Sequence, residues 1–218
     1  MIKPNSPRPL DRFKQKLDLS VGPAPSRHGE LGEVIESSTT ELVAEARTLH
    51  GAPPFGSFVT IASEYNIVGI VSGATTKSAE PNRRPVAFGK TEQELRAEQP
   101  QIFELLRTEF SVLLVGHLVD GDPVHYLPPQ PARIHSFVRG CDDRIVQDFT
   151  RTDDYLRCIL GSGNLPADQL IPAALRTAHR AHGSAPEYLV RAGKELARLL
   201  RDDYDRLGAI LRRVGGLH

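Results

Sequence analysis

Ser111-Val112-Leu113-Leu114-Val115-Gly116-His117-Leu118-Val119 is the most apolar segment of the chain, and its reading decides the fold. It is rich in branched side chains and runs straight into Asp120-Gly121-Asp122, so it reads as a buried strand at the centre of a sheet, ending in a tight turn. The turn sends the chain back as Pro123-Val124-His125-Tyr126-Leu127. Pro128, Pro129 and Pro131 then interrupt any ladder, because proline has no N–H to give. Arg133 to Val138 reads as the strand that closes the β unit.

Working outward, short β-like runs recur with turn residues between them. Leu31 to Glu36 and Glu41 to Ala46 flank the cluster Ser37-Ser38-Thr39-Thr40. A Gly/Pro loop, Gly51 to Gly56, leads to Phe58-Val59-Thr60-Ile61-Ala62. Glu64-Tyr65-Asn66 joins that run to Ile67-Val68-Gly69-Ile70-Val71 as a hairpin. Gly69 and Gly73 mark a bulge or a barrel corner, and Lys77 to Pro85 is polar loop. One helix interrupts the strands, expected over about 91–108. Thr91 and Glu94 form a capping box, and Leu95, Ile102, Leu105 and Leu106 form its stripe, with Pro100 kinking or restarting it. The fold class expected is mainly β plus α: a small closed β-barrel over 29–150 with one inserted helix, followed by a C-terminal helical subdomain over 151–218.

In that subdomain a short helix ends at Gly161-Ser162-Gly163, and a second runs from Leu165 to Ala181 until Gly183 stops it. Ser184-Ala185-Pro186-Glu187 reads as a second capping box, opening one long helix to about Val214. Leu189, Leu196, Leu200, Leu207 and Leu211 line the apolar face of that helix, a candidate surface for a partner. Its back carries Arg191, Arg198, Arg201, Arg206, Arg212 and Arg213 interleaved with Glu195, Asp202, Asp203 and Asp205, a self-neutralising face. Residues 1–28 read as a flexible proline-rich basic tail, with Lys3, Arg8, Arg12, Lys14, Lys16 and Arg27, and a short amphipathic turn at Leu10, Phe13 and Leu17.

Composition narrows the chemistry. The 27 Lys and Arg balance 27 Asp and Glu, so no global field recruits nucleic acid or an anionic membrane. Tryptophan is absent and aromatics are few, which disfavours a stacking platform for single strands. Cys141 and Cys158 are too few for a disulfide scaffold or a thiolate zinc site, and read as small buried or half-buried residues. Met1 to Leu19 lacks the apolar core of a signal peptide, and no run approaches the roughly 20 residues that span a bilayer; a cytoplasmic location is expected, with no membrane partner. Neither a P-loop nor a Gly-x-Ser-x-Gly elbow is present, and Gly161-Ser162-Gly163-Asn164 is a helix stop. His117 and His125 flank the Asp120-Gly121 turn and could face one another, which is half a zinc site at most; His179 and His182 share a helix with the same shortfall. The pairs Asp142-Asp143, Asp153-Asp154 and Asp202-Asp203 read as solvated loop and helix-start residues. No catalytic, cofactor-binding or metal residue is expected.

Gly32-Glu33-Val34-Ile35-Glu36-Ser37-Ser38-Thr39-Thr40-Glu41 resembles the opening of the HAS-barrel, the small N-terminal barrel of HerA-type DNA-translocating ATPases and rotary ATP synthases. The resemblance continues through Gly56-Ser57-Phe58-Val59-Thr60-Ile61 and Ile67-Val68-Gly69-Ile70-Val71-Ser72, and spans about residues 29–140. It implies a barrel that arranges subunits and docks partners, here without an ATPase core. The expected function is a non-catalytic assembly and protein-interaction module, an accessory of a HerA-like ATPase or nuclease in DNA processing, or self-associating. The alternative is a nucleic-acid-binding barrel similar to translation-factor second domains, with Arg83 and Arg84 and the basic tail as its contacts; it predicts salt-sensitive binding.

Overall fold

The computed structural model describes residues 29–215; the basic tail and its turn at Leu10, Phe13 and Leu17 lie outside them. Among the described residues the chain is mixed α/β, with seven strands and seven helices. The strands are β1 (Glu30–Ser37), β2 (Glu41–Ala46), β3 (Phe58–Ile61), β4 (Ile67–Ser78), β5 (Leu106–Val119), β6 (Asp122–Val124) and β7 (Phe137–Gly140). All pair antiparallel in the order β2-β1-β7-β3-β4-β5-β6. A further ladder joins β2 to β5, from Glu41 opposite Leu113 to Glu45 opposite Glu109. With it the pairing runs β1-β2-β5-β4-β3-β7 and returns to β1, a ring of six strands with β6 hanging from β5.

Strand alternation gives the ring an inside and an outside. Val34, Leu42, Val59, Ile67, Val112 and Val138, one from each ring strand, meet in one buried cluster, so that cluster is the interior. The alternate residues Phe58, Val68, Ile70, Leu113 and Val115 point outward into a second cluster, shared with the helices. This is why Val112-Leu113-Leu114-Val115 reads as a continuous apolar run: both faces are covered, one by the opposite strands and one by helices. Each such side chain contributes about 1.5–3 kcal/mol from burial.

Two register shifts bend the β4–β5 ladder, at Val68/Gly69 and Val71/Gly73, where the glycines of β4 had pointed to a bulge. At the first, Val115 is the extra residue, and the phase of β5 flips beyond it. A Cβ on Gly69 would sit 2.3 Å from Val112 Cγ1, and one on Gly116 would sit 2.1 Å from the Val124 carbonyl. Both glycines are therefore demanded by close approach. The turn after β5 has Asp120 and Gly121 at φ 51° and 94°, the geometry of a two-residue hairpin turn.

The helical layer begins earlier than the expected boundary at 150. Asp142 caps a helix over Asp143–Phe149 by accepting from Ile145 N at 2.8 Å. Three more helices follow, Tyr155–Gly161, Ala167–Ala181 and Pro186–Leu199, and then Tyr204–Gly215. In chain order, with two short helices of the β4–β5 connection, Glu92–Glu98 (α1) and Gln101–Glu104 (α2), these five are α3 to α7.

Three readings of helical ends are corrected. The inserted helix does not run to 108: Pro100 divides it, and Leu106 already belongs to β5. The long C-terminal helix is two, because the chain turns at Leu200–Asp203 and Asp203 restarts it, accepting from Arg206 N at 3.1 Å. The second capping box does not form. Gly183 ends α5 in the left-handed region, Ser184 N donates to the His179 carbonyl at 2.8 Å, and Ser184 itself has φ 59°. Ser184 is thus spent on closing α5, and Ala185 begins α6 without a side-chain cap.

Candidate interface on the projecting hairpin

Beyond the ring, β4 and β5 continue as a two-stranded arm, Gly73 opposite Ser111 out to Ser78 opposite Leu106. Partway along, it is braced by Thr76 and Thr108, whose hydroxyls lie 2.8 Å apart across the strands, while Thr108 accepts from His50 N at 2.8 Å. Residues 79–105, with α1 and α2, form its tip. Neither helix has a buried residue. Local interactions hold the tip together. The Thr91–Glu94 capping box is complete: Thr91 N donates to Glu94 Oε2 at 2.7 Å, and those Thr91 donors hold the Glu94 carboxyl below its usual range. Arg96 lies over the Phe103 ring at 4.3 Å, and Lys90 pairs with Glu98.

Arg83 and Arg84 both sit at this tip, between two adjoining hollows. One is a slot of about 90 Å³ walled by Val86, Phe88, Ile102 and Leu105. The other is an open groove of about 660 Å³, whose charges are matched in pairs: Lys77 with Glu109 at 2.7 Å, Arg107 with Glu45 at 3.2 Å, and Arg83 with Glu80 at 3.6 Å. Glu109 raises the Lys77 pKa. Arg84 makes no ion pair or hydrogen bond among the described residues. Val86 is 72% exposed and Phe88 45% exposed. An apolar slot with an unmatched guanidinium at its rim suits a ligand segment pairing an apolar side chain with an anionic group.

The other candidate face is already occupied. Leu196, Leu200 and Leu207 are buried in the chain's own core, and Leu189 packs half-buried against it; Leu211 is 38% exposed. Leu196, Leu200 and Leu207 thus pack within the helical layer around α5 and are not open to a partner, whereas Leu211 stays at the surface.

The histidines do not converge. His117 on β5 pairs with Val124, and His125 lies one residue beyond the end of β6. His117 lies between Tyr65 and Tyr126, whereas His125 packs on Phe149 and contacts Thr152 Oγ1 at 3.2 Å. Among the described residues no three His, Cys, Asp or Glu are grouped to hold a metal ion. Cys141 and Cys158 are free and half-buried, and burial pushes the Cys141 thiol up to about 12.

Sequence reasoning missed a buried polar network that staples the helices together. Arg191 on α6 grips Asp153 through two bonds, at 3.0 and 3.3 Å, and donates to the Thr150 carbonyl at 2.6 Å. The Tyr155 and Tyr188 hydroxyls lie 2.7 Å apart, and burial raises both phenols, Tyr188 to about 12. His182 stacks on Tyr188 and reaches Thr150 Oγ1 at 2.8 Å. The partners in these hydrogen bonds stand more than 30 residues apart, beyond the reach of any local pattern. No helix among the described residues is long and apolar enough to cross a membrane. Comparison with protein-family models finds no match to the chain, and comparison with curated proteins finds none either.

Proposed function

We propose that the ring of strands is a small closed barrel of the HAS type, and that the chain is a non-catalytic assembly and protein-interaction module. In this reading it works in the cytoplasm as an accessory of a HerA-like ATPase or nuclease in DNA processing, and the projecting hairpin is what it presents. The observation that carries the reading is the arm's tip, an ordered excursion whose two helices bury nothing. Ordering such a segment costs about 1–2 kcal/mol per residue, which contacts with another molecule would offset. The resemblance of Gly32 to Glu41 supplies the class of partner.

Sedimentation of the purified chain with a purified HerA-like ATPase tests this. A joint species is expected for the parent chain and lost on Arg84→Glu or Phe88→Asp, with the melting temperature unchanged. A chain that sediments alone at every ratio, and stays monomeric at high concentration, rejects it. One observation favours a nucleic-acid role: Arg84 is unmatched beside Lys77, Arg83 and Arg107 on the same groove. That reading requires a gel shift at low salt that weakens on Arg83→Ala and Arg84→Ala.

A further inference from the structure

One stretch of the arm's tip has an open backbone. From Arg84 to Phe88 the chain forms no helix, strand, turn or bend, and among the described residues no N–H or carbonyl of this run has a hydrogen-bond partner. The chain on either side is tied locally: Arg83 N donates to the Glu80 carbonyl at 3.1 Å, and Thr91 N to Glu94 at 2.7 Å. Val86 and Phe88 add two large exposed side chains to the open run, and both wall the slot that Ile102, Leu105 and Leu106 complete. Its volume of about 90 Å³ equals about three waters, room for one branched aliphatic side chain.

Charge around the slot is uncancelled at one place. Arg83, Lys90 and Arg96 are paired with Glu80, Glu98 and Glu92 respectively. Arg84 lines the slot with no such partner, and Glu104, an acid of α2 without an ion pair, does not line it. An arriving carboxylate therefore meets a guanidinium with no competitor to displace, and can take it through two parallel hydrogen bonds. An anionic membrane surface would suit Arg84 and Phe88 but leave the backbone groups unbonded, with no water there to serve them. A nucleic-acid strand would pair with Arg84 but brings no aliphatic side chain to the slot.

We propose that the tip receives an acidic, extended segment of a partner protein as an added strand. One aliphatic side chain of that segment enters the slot, an Asp or Glu near it pairs with Arg84, and its backbone bonds the open groups of Val86, Ala87 and Phe88. Main-chain bonds then give affinity to any extended sequence, while the slot and Arg84 choose among sequences. This rests on the tip being the surface the chain presents, and it specifies what a partner must carry there.

Selection from random displayed peptides of about twelve residues, against the full chain, tests it. Selected segments are expected to place Leu, Ile or Val within about two positions of Asp or Glu. A selected peptide, labelled and capped at both ends, is expected to bind at least about tenfold more weakly to Arg84→Glu and to Phe88→Asp, with melting temperatures unchanged. Exchanging its acid for Lys should restore binding to Arg84→Glu, and adding it to the parent chain should slow amide exchange at Val86, Ala87 and Phe88. Selected segments without an acid, no enrichment over the Arg84→Glu chain, or exchange that is not slowed each overturn the proposal. Binding to phosphatidylserine vesicles or to a DNA oligonucleotide that is lost on Phe88→Asp, with no segment selected, reassigns the tip and overturns it too. Failure of the accessory role reads differently. A segment that binds the tip of a chain indifferent to the HerA-like ATPase rejects that partner and leaves the added strand standing. Association with the ATPase that needs Arg84, with no segment selected, keeps the tip as an interface and overturns the added strand.

Discussion

β4 and β5 lead two lives. Along Ile67–Val71 and Val112–Val115 they are walled in, by the ring interior on one face and by helices on the other. Along Gly73–Ser78 and Leu106–Arg107 the same two strands continue into solvent with little buried. The hydrogen-bond ladder runs through both halves; the side chains differ. Val, Leu and Ile give way to Thr, Lys, Ser and Arg, and the environment follows. A ladder sets where a strand lies, and side-chain burial sets what it contributes to stability.

The contrast is broken most strongly from its buried half. Leu114→Ala, at a fully buried position of the ring interior, is expected to cost about 3 kcal/mol, read as a lower urea midpoint. Asp153→Ala comes next: it strips a buried carboxylate from Arg191, but Arg191 is 42% exposed and can rehydrate, so about 1–2 kcal/mol is expected in the same assay.

Acid sharpens the comparison through the helices. Burial, then the Arg191 charge, lowers the pKa of His182 from its ordinary 6.5. The unfolded chain therefore takes up the proton first. Stability is full above pH 6.5 and falls as pH drops from there through the lowered folded value. Unfolding midpoints at pH 7.5 and 5.5 check this, and His182→Asn should flatten the difference. The exposed half gives the smallest effect. Thr91→Ala removes a complete cap, worth about 1 kcal/mol to its helix, yet α1 adds nothing to the core. The global midpoint should stay within about 0.5 kcal/mol, while hydrogen exchange in α1 speeds several-fold.

The strands were legible because their signals are local. Period, turn residues and glycines placed β1 to β3, the inner halves of β4 and β5 and the bulge near Gly69 and Gly73, but the outer halves that form the arm were missed: Lys77 and Ser78 read as loop and Leu106 to Thr108 as helix. What failed was reach. Whether Ser184 caps the helix after it or closes the one before depends on the approach to His179, and the sequence pattern is the same in both cases. The leucine stripe of α6 and α7 was readable as a face in need of cover, but what covers most of it is α5 of the same chain, which no spacing reveals. Arg191 was visible as one of many arginines and became particular only through Asp153, 38 residues away. At the tip, Arg83 and Arg84 were legible as exposed cations; the apolar slot beside them needs Ile102 and Leu105, which α2 and its end bring back to it.

The pairing that closes the ring also sets how the chain must assemble in time. The arm joins neighbours and can form within microseconds of collapse, as hairpins do. Closure instead requires β2 to find β5, with Glu41 opposite Leu113, and β1 to find β7, with Glu30 opposite Arg139. Joining such distant segments places the folding time in the milliseconds to seconds of β-rich topologies. Until it is done, β1 and β2 present open edges, so the interval before closure is when a crowded solution of this protein is most prone to aggregate.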